Sequence, residues 1–291
     1  MDTTCIYHRA DLDGWVSAAI VKTNYPDAEL IGYNYGEPVP VIPPNNRVII
    51  CDIALEMDDM KDIADNSGEF IWIDHHISSI RKYEAFIGNH IWWTTKFPVK
   101  LEPMSACELT WEFFNPDTDI PKAVRLLGMY DTFRHVGTIL EATVFHFQLG
   151  AQSLANDPKT ASKLIHMTAT EIEQVISDGK IIYRYNKMNA ASIYAKGVPA
   201  MIEDKVFILF NVDHFNPPTY GINYHLDGFD GAGYFRFDGQ FWRLSLTNDD
   251  NTIDCSAICA KYGGGGHFSA AGAEFTHKEF FKLLKKSTNC K

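Results

Sequence analysis

The sequence predicts an α/β fold in which a larger domain with a parallel sheet precedes a smaller mixed α/β domain. In the first half, short apolar segments alternate with helical ones, which is typical of a parallel sheet covered by helices on both faces. After residue 198, two apolar runs flank an Asp-Gly pair, which indicates an antiparallel hairpin. With 46% apolar and 22% charged residues, the 291-residue chain can bury a sizeable core.

The predicted elements of the first domain are apolar runs separated by polar or turn-forming residues. Four strands are predicted over 3–8, 28–35, 47–55 and 69–76. Helices are predicted over 15–25, 56–66, 105–114 and 121–130. Residues 157–197 are polar with helical spacing, so we expect a helical connector between domains at 1–156 and 198–291.

The second domain is predicted to begin with a strand over 205–211. The hairpin covers 233–248, and a helix over 254–262, a glycine run and a strand over 271–275 follow it. These elements describe a mixed α/β domain with an antiparallel component.

The charge and the cysteines narrow the class of protein. A formal net charge of -11 argues against a protein that grips long DNA or RNA, and favours local binding of small anions with metal ions as the positive charge. None of the six cysteines forms a CxxC pair, and Cys255 and Cys259 are spaced for helix packing rather than for zinc. From the sequence we expect neither a signal peptide nor a segment that spans a bilayer, and therefore a cytoplasmic protein that does not associate with a membrane.

Ionisable residues fall toward the carboxyl ends of three of the predicted strands, at His8, Asp52 and Asp74. The carboxyl ends of parallel strands meet at one edge of a sheet, where ligands bind, so these side chains are expected to converge in one crevice. An Asp at the end of an aliphatic run, such as Asp52, is costly to bury unless it is paired or bound to a metal. Alternatively, Asp52 could cap the helix that follows it.

The first strand is followed by two more acids. Asp11 and Asp13 come within five residues of His8, and Gly14 permits a tight entry into the next helix. One of the two acids could cap that helix, but a cap explains neither the second acid nor the histidine.

Two histidines and a further acid complete the set of candidate ligands. His75 and His76 follow Asp74, although adjacent histidines can also lie in a solvated loop. Asp131 follows the apolar helical segment 121–130. Oxygen and imidazole ligands without thiolate suit manganese or magnesium better than iron, cobalt or zinc. Carboxylates this close would repel one another, and two divalent cations would compensate them and could clamp a phosphate for attack by activated water.

A glycine run forms the last candidate site. Gly264, Gly265, Gly266 and His267 follow a predicted helix, and glycines let backbone N–H groups approach phosphate oxygens closely. The alternative is a tight turn with a capping histidine.

Taken together, these motifs resemble the DHH phosphoesterase superfamily over nearly the whole chain. HRADLDG at 8–14 resembles its first motif, Asp52 its second, DHH at 74–76 its third and Asp131 its fourth. GGGGHFSAAG at 263–272 resembles the signature of its C-terminal DHHA1 domain. The opening and the length are most similar to the branch of nanoRNases (oligoribonucleases) and cyclic-nucleotide phosphodiesterases. The resemblance implies a Rossmann-like DHH domain followed by a DHHA1 domain.

The resemblance also implies roles for individual residues. Two Mn²⁺ ions per active site are expected, with Mg²⁺ or Co²⁺ as possible substitutes. His76 would face the scissile phosphate, and Asp74 would orient the histidines. The implied metal ligands are His8 and Asp11 for one ion, Asp13, His75 and Asp131 for the other, and Asp52 for both.

Substrate contacts are expected from several residues. Besides Gly264–His267, Arg134 and Arg243 are predicted to bind substrate. Many relatives carry an Arg after a Ser-Leu pair that stands here at Ser245-Leu246, and Arg243 shares a strand face with Ser245. The expected partner is a short nucleic acid or a nucleotide, and a homodimer is possible.

The sequence leaves several functions open. The leading hypothesis is a manganese-dependent phosphodiesterase that hydrolyses short oligonucleotides, 3′,5′-bisphosphate nucleotides or cyclic nucleotides with water activated by two metals. Alternatives are a pyrophosphate or polyphosphate hydrolase, which needs the same metals, a processive nuclease, and a nucleotide sensor without turnover.

Overall fold

A computed structural model describes residues 1–87, 94–96, 104–213, 228–248 and 252–287 of the chain. The chain divides into two compact units, Met1–Ile182 and Tyr183–Lys291. The predicted limits of the domains and of the connector stay predictions.

Unit 1 is built on a five-stranded, all-parallel sheet with the order β2-β1-β3-β4-β5, which confirms the predicted α/β class. Its strands are β1 Thr3–His8, β2 Glu29–Tyr33, β3 Arg47–Cys51, β4 Glu69–Ile73 and β5 Thr94–Lys96. Its helices are α1 Leu12–Asn24, α2 Met57–Asn66, α3 Ile77–Ile87, α4 Ala106–Phe114, α5 Lys122–Asp131, α6 Glu141–Leu154 and α7 Pro158–Ile165, and α8 Ala169–Tyr194 continues into unit 2.

The central strands are apolar along their length because side chains on both faces of the sheet are buried. On one face, Ile50 and Trp72 pack with Met60 of α2. On the other face, Ile49 and Ile71 pack in a separate cluster with residues of α1 and α4. This double burial fixes the strand register, so the ends of β1, β3 and β4 lie at a common level.

A second core holds the helices that carry candidate ligands. Val16 and Ile20 of α1 pack in one buried cluster with Leu127 of α5, Phe147 of α6 and Leu164 of α7. Because α1 carries Asp13 and α5 ends at Asp131, this packing fixes both carboxylates relative to the sheet.

Unit 2 contains a six-stranded sheet with the order β10-β11-β9-β8-β7-β6, in which only β7 and β8 pair in parallel. The hairpin predicted over 233–248 is confirmed, because β8 and β9 pair antiparallel. No described helix is long and apolar enough to cross a membrane. The elements are β6 Val198–Ile202, β7 Lys205–Asn211, β8 Gly231–Phe237, β9 Trp242–Thr247, α9 Cys255–Ala260, β10 Gly265–Gly266, β11 Ala270–Phe275 and α10 His277–Ser287.

Candidate metal centre

The candidate centre lies at the carboxyl ends of three adjacent strands. Tyr7 pairs with Cys51, and Cys51 pairs with Ile73, so the residues that follow them are neighbours at one edge of the sheet. The strand order reverses between β1 and β3, and such a reversal opens a crevice at which α/β proteins bind ligands. The structure therefore brings together the strand ends that the sequence predicted to converge.

One group of candidate ligands consists of His8, Asp11 and Asp52. Nδ1 of His8 lies 3.1 Å from Oδ2 of Asp11 and 3.5 Å from Oδ2 of Asp52. Asp11 also caps α1 by accepting a hydrogen bond from the Gly14 N–H at 3.1 Å. A Cβ at Gly14 would lie 1.9 Å from the His8 carbonyl oxygen, so only glycine lets α1 begin this close to β1.

A second group consists of Asp13, His75 and Asp131. Nε2 of His75 lies 3.1 Å from Oδ2 of Asp131 and 3.6 Å from Oδ2 of Asp13. The same nitrogen lies 3.4 Å from Oδ1 of Asp52. The carboxylate of Asp52 thus stands between the two groups, with one oxygen directed to each.

The donor set fits two divalent cations. Ligand atoms that lie about 2.1 Å from one ion at right angles are about 3.0 Å apart. The nitrogens of His8 and His75 lie 3.1 to 3.6 Å from the carboxylate oxygens around them, and all ligand atoms of a group lie within 4.8 Å of one another. Nδ1 of His8 and Oδ2 of Asp52 and Asp131 are buried and have no hydrogen-bond partner among the described residues. Four carboxylates also balance the charge of two divalent ions.

Protons partly replace that positive charge in the metal-free protein. Burial raises the pKa of Asp52 well above its ordinary value, and the nearby Asp13 and Asp11 raise it further. Burial lowers the pKa of His8, but Asp11 and Asp52 outweigh this effect and raise the pKa to about 10. Cations that enter the cluster therefore have to displace protons, so their affinity should increase with pH.

The backbone of Asp52 is strained. Its φ of 62° lies in the left-handed region, which is uncommon for a residue other than glycine and is often found at functional sites. The alternative role as a helix cap does not apply, because α2 begins at Met57 and its N-cap residue is Glu56. The Asp52 N–H donates to the Ile73 carbonyl at 2.9 Å, which fixes the turn against β4.

Asp74 is fully buried and organises the two histidines that follow it. Its Oδ1 accepts hydrogen bonds from the N–H groups of His75 and His76, at 2.8 and 3.2 Å, and lies 2.7 Å from Nδ1 of His76. Burial raises the pKa of Asp74, but the adjacent histidines lower it below its ordinary value. An ionised Asp74 can only accept, so Nδ1 of His76 carries the proton in this contact.

Arg134 is engaged within unit 1. Its Nη2 forms an ion pair with Oε2 of Glu108, a buried residue of α4, and its Nε donates to Oγ1 of Thr132 at 2.8 Å. The predicted contact of Arg134 with substrate stays a prediction.

The remaining predicted substrate residues lie in unit 2. Arg243 pairs with Asp238 in the hairpin turn and with Glu274 on β11. The glycine run ends in the short strand β10, which pairs with β11. Directly before β10, a Cβ at Gly264 would lie 2.0 Å from the Gly272 carbonyl oxygen. The substrate roles of Arg243 and of the segment Gly264–His267 stay predictions.

Sequence reasoning missed Glu108 as a part of the site. The residue is 1% exposed and lies on the first turn of α4, next to the N–H groups that bind Asp13. Ser105 and Glu108 form a capping box, and the S-x-x-E pattern at 105–108 is the sequence signal that could have drawn attention to it.

No family model matches the chain. A protein of Acanthamoeba polyphaga mimivirus described as uncharacterized is 25% identical over 266 residues, which cover 84% of this chain and 57% of that protein. The chain thus spans little more than half the length of this curated relative.

Three solved structures share the fold across nearly the whole chain. A pGpG-specific phosphodiesterase from Vibrio cholerae is 15% identical with a TM-score of 0.51, and the match covers 98% of this chain and 97% of the other. An exopolyphosphatase-related protein from Bacteroides fragilis is 13% identical with a TM-score of 0.52, and the match covers 99% of this chain and 91% of the other. RecJ from Thermus thermophilus in complex with Mn²⁺ is 12% identical with a TM-score of 0.56, and the match covers 98% of this chain and 51% of RecJ. The chain therefore shares the fold of these three proteins, in agreement with the α/β class that its sequence predicted.

Proposed function

We propose that this chain is a metal-dependent phosphodiesterase of the DHH superfamily that acts on short oligonucleotides or small nucleotides. The observation that carries this proposal is the position of Asp52, whose two carboxylate oxygens face different groups of ligands. A carboxylate placed in this way suits a pair of metal ions that share one ligand. The likeness in fold to a pGpG-specific phosphodiesterase supports the same class of reaction.

The chain would hold one ion with His8, Asp11 and Asp52, and the other with Asp13, His75, Asp131 and the second oxygen of Asp52. We propose Mn²⁺, with Mg²⁺ or Co²⁺ as substitutes, since oxygen and imidazole donors suit these ions and the RecJ structure of similar fold contains Mn²⁺. When bound, the ions supply positive charge to the phosphate and lower the pKa of water.

The residues of the chain have separate tasks in this proposal. Asp74 holds the ring of His76 through Nδ1, which leaves Nε2 on the opposite side of the ring. From there, Nε2 would donate to the phosphate or to the leaving oxygen when the ring carries a proton on both nitrogens, as a histidine oriented by a carboxylate can do. In unit 2, the segment Gly264–His267 and Arg243 would contribute to substrate binding.

Hydrolysis of pyrophosphate or polyphosphate is a second candidate, favoured by the likeness in fold to an exopolyphosphatase-related protein. A polyphosphate chain calls for several accessible cationic groups. Arg243, Arg236, Lys261 and Lys205 of unit 2 each form an ion pair with a carboxylate of the same unit, which makes them less suited to this task. These four cations therefore do not favour a polyphosphate site, and the phosphodiesterase stays our leading proposal.

One panel of substrates separates these functions. The purified chain with Mn²⁺ would receive a dinucleotide, a short oligomer, a long single strand, a bisphosphate nucleotide, cyclic nucleotides and pyrophosphate. We expect turnover of the short or small nucleotides, and its loss in Asp52→Asn but not in Asp117→Asn, which changes an exposed acid. Turnover of pyrophosphate alone would favour the second candidate, and nucleotide binding without turnover would indicate a sensor. Full activity of Asp52→Asn would refute the two-metal site.

A further inference from the structure

Two carboxylates of the proposed metal centre depend on the first turn of α4. The oxygens of Asp13 accept hydrogen bonds from the backbone N–H groups of Ala106, at 2.9 Å, and Cys107, at 2.8 Å. These N–H groups have no partner within the helix, and the helix dipole favours a negative charge at this end. The start of α4 thus fixes both oxygens of a residue that belongs to α1.

The same turn of α4 reaches the end of α5 through Glu108. The Glu108 carboxylate accepts a hydrogen bond from the Ser105 N–H at 3.1 Å and forms the ion pair with Arg134. Arg134 donates to Oγ1 of Thr132, and Thr132 donates in turn to the Gly128 carbonyl at 2.6 Å. Thr132 directly follows Asp131, so this chain of contacts ends beside a proposed ligand.

Glu108 also lies directly against the backbone of α5. A Cβ at Gly128 would be 2.2 Å from Oε2 of Glu108, so the glycine leaves room for the carboxylate one turn before Asp131. Arg134 is the one cation that forms an ion pair with this carboxylate among the described residues, and the side chain of Arg134 is 18% exposed. Removal of either partner would leave a poorly solvated charge next to α5.

We propose that Glu108 and Arg134 are positioning residues that hold Asp131 in place for the second metal ion. Arg134 acts through Thr132 and the end of α5, and its guanidinium does not serve as a phosphate ligand. The inference rests on the metal centre of the proposed function. It assigns to α4 the task of holding Asp13 and Asp131, which belong to two other helices, at a fixed separation.

The test measures Mn²⁺ binding to the full chain by titration calorimetry and by EPR, without substrate. We expect Glu108→Gln and Arg134→Gln each to lower the affinity for one of the two Mn²⁺ ions by about 10-fold or more. A loss of this size is usual when a residue that orients metal ligands is changed. The ion held by His8 and Asp11 should change little. Arg134→Lys should restore part of the affinity, and the double variant should lose less than the sum of the two single losses.

Glu69→Gln is the matched control. It breaks the ion pair of Glu69 with Arg47, which joins the amino ends of β3 and β4 at the opposite edge of the same sheet. We expect wild-type binding of both ions, and circular dichroism would check that every variant is folded.

Three results would overturn the inference. Wild-type affinity for both ions in a folded Glu108→Gln would remove the role of Glu108. If Arg134→Gln raises KM and leaves Mn²⁺ binding unchanged, Arg134 is a substrate ligand instead. If the wild-type chain itself binds no Mn²⁺, the proposed metal centre fails and the inference fails with it.

Discussion

Asp131→Asn should stabilise the metal-free protein and reduce the further stabilisation that metal ions provide. Without cations, burial raises the pKa of Asp131; His75 opposes this effect, Asp13 and Asp11 add to it, and the pKa moves from 3.8 to about 7. The ionised form is thus penalised in the folded chain only. The free energy of unfolding falls as the pH rises above 3.8, and the loss is complete above about 7.

The size of the effect follows from this difference in pKa. About three pKa units correspond to about 4 kcal/mol, which is an upper limit because the other carboxylates of the cluster also take up protons. Asparagine has the same shape and no charge, so it removes the penalty. The variant should therefore be more stable than the wild type at pH 8, and the gain should be smaller at pH 5. With Mn²⁺ at 100 times its Kd, the free energy of unfolding of the wild type should rise by about 2.7 kcal/mol. The rise should be smaller in Asp131→Asn, because the variant lacks one ligand.

Urea denaturation at pH 5 and pH 8, once with a chelator and once with Mn²⁺, measures both effects. Asp117→Asn is the control, since Asp117 is exposed and lies outside the cluster. Equal stability of Asp131→Asn and the wild type in chelator at pH 8 would refute the argument that burial and the neighbouring carboxylates penalise the ionised form of Asp131. Equal stabilisation of the two proteins by Mn²⁺ would refute the assignment of Asp131 as a ligand.

Two further predictions concern the glycine run and the oriented histidine. Gly264→Ala should destabilise unit 2 by about 1–3 kcal/mol because the new Cβ meets a backbone oxygen. A Cβ at Gly265 would meet no atom within 4 Å, so Gly265→Ala should leave stability unchanged and raise only the KM. Urea titrations and kinetics test both variants, and an unchanged KM in Gly265→Ala would count against a phosphate contact there. Asp74→Asn should lower kcat by about 100-fold or more because His76 loses its ionised partner. Calorimetry should show that Mn²⁺ still binds, and an unchanged kcat would contradict the role given to Asp74.

Much of the fold could be predicted because its signals are local. The apolar runs of β1, β3 and β4 contrast with their polar ends, and this contrast locates the carboxyl edge of the sheet. The helices α3, α6 and α10 were missed, as were the strands β5, β6 and β10. In α6, Val144 and Phe147 form a buried stripe, but Phe145 and Leu149 are apolar residues on other faces, so the apolar residues of the helix do not follow a single stripe.

The sequence by itself determined which side chains stand at the strand ends, since a strand end is a property of neighbouring residues. Only the tertiary structure decided how those side chains are arranged. The Asp52 oxygens face different groups because a left-handed backbone turns the residue, and no local pattern predicts that conformation for an Asp. Asp13 accepts hydrogen bonds from backbone groups 93 and 94 residues further along the chain. Glu108 meets Arg134 only because α4 packs beside α5. Contacts over such separations arise from the packing of helices that are distant in sequence. Local patterns in a single sequence do not predict which of these helices pack together.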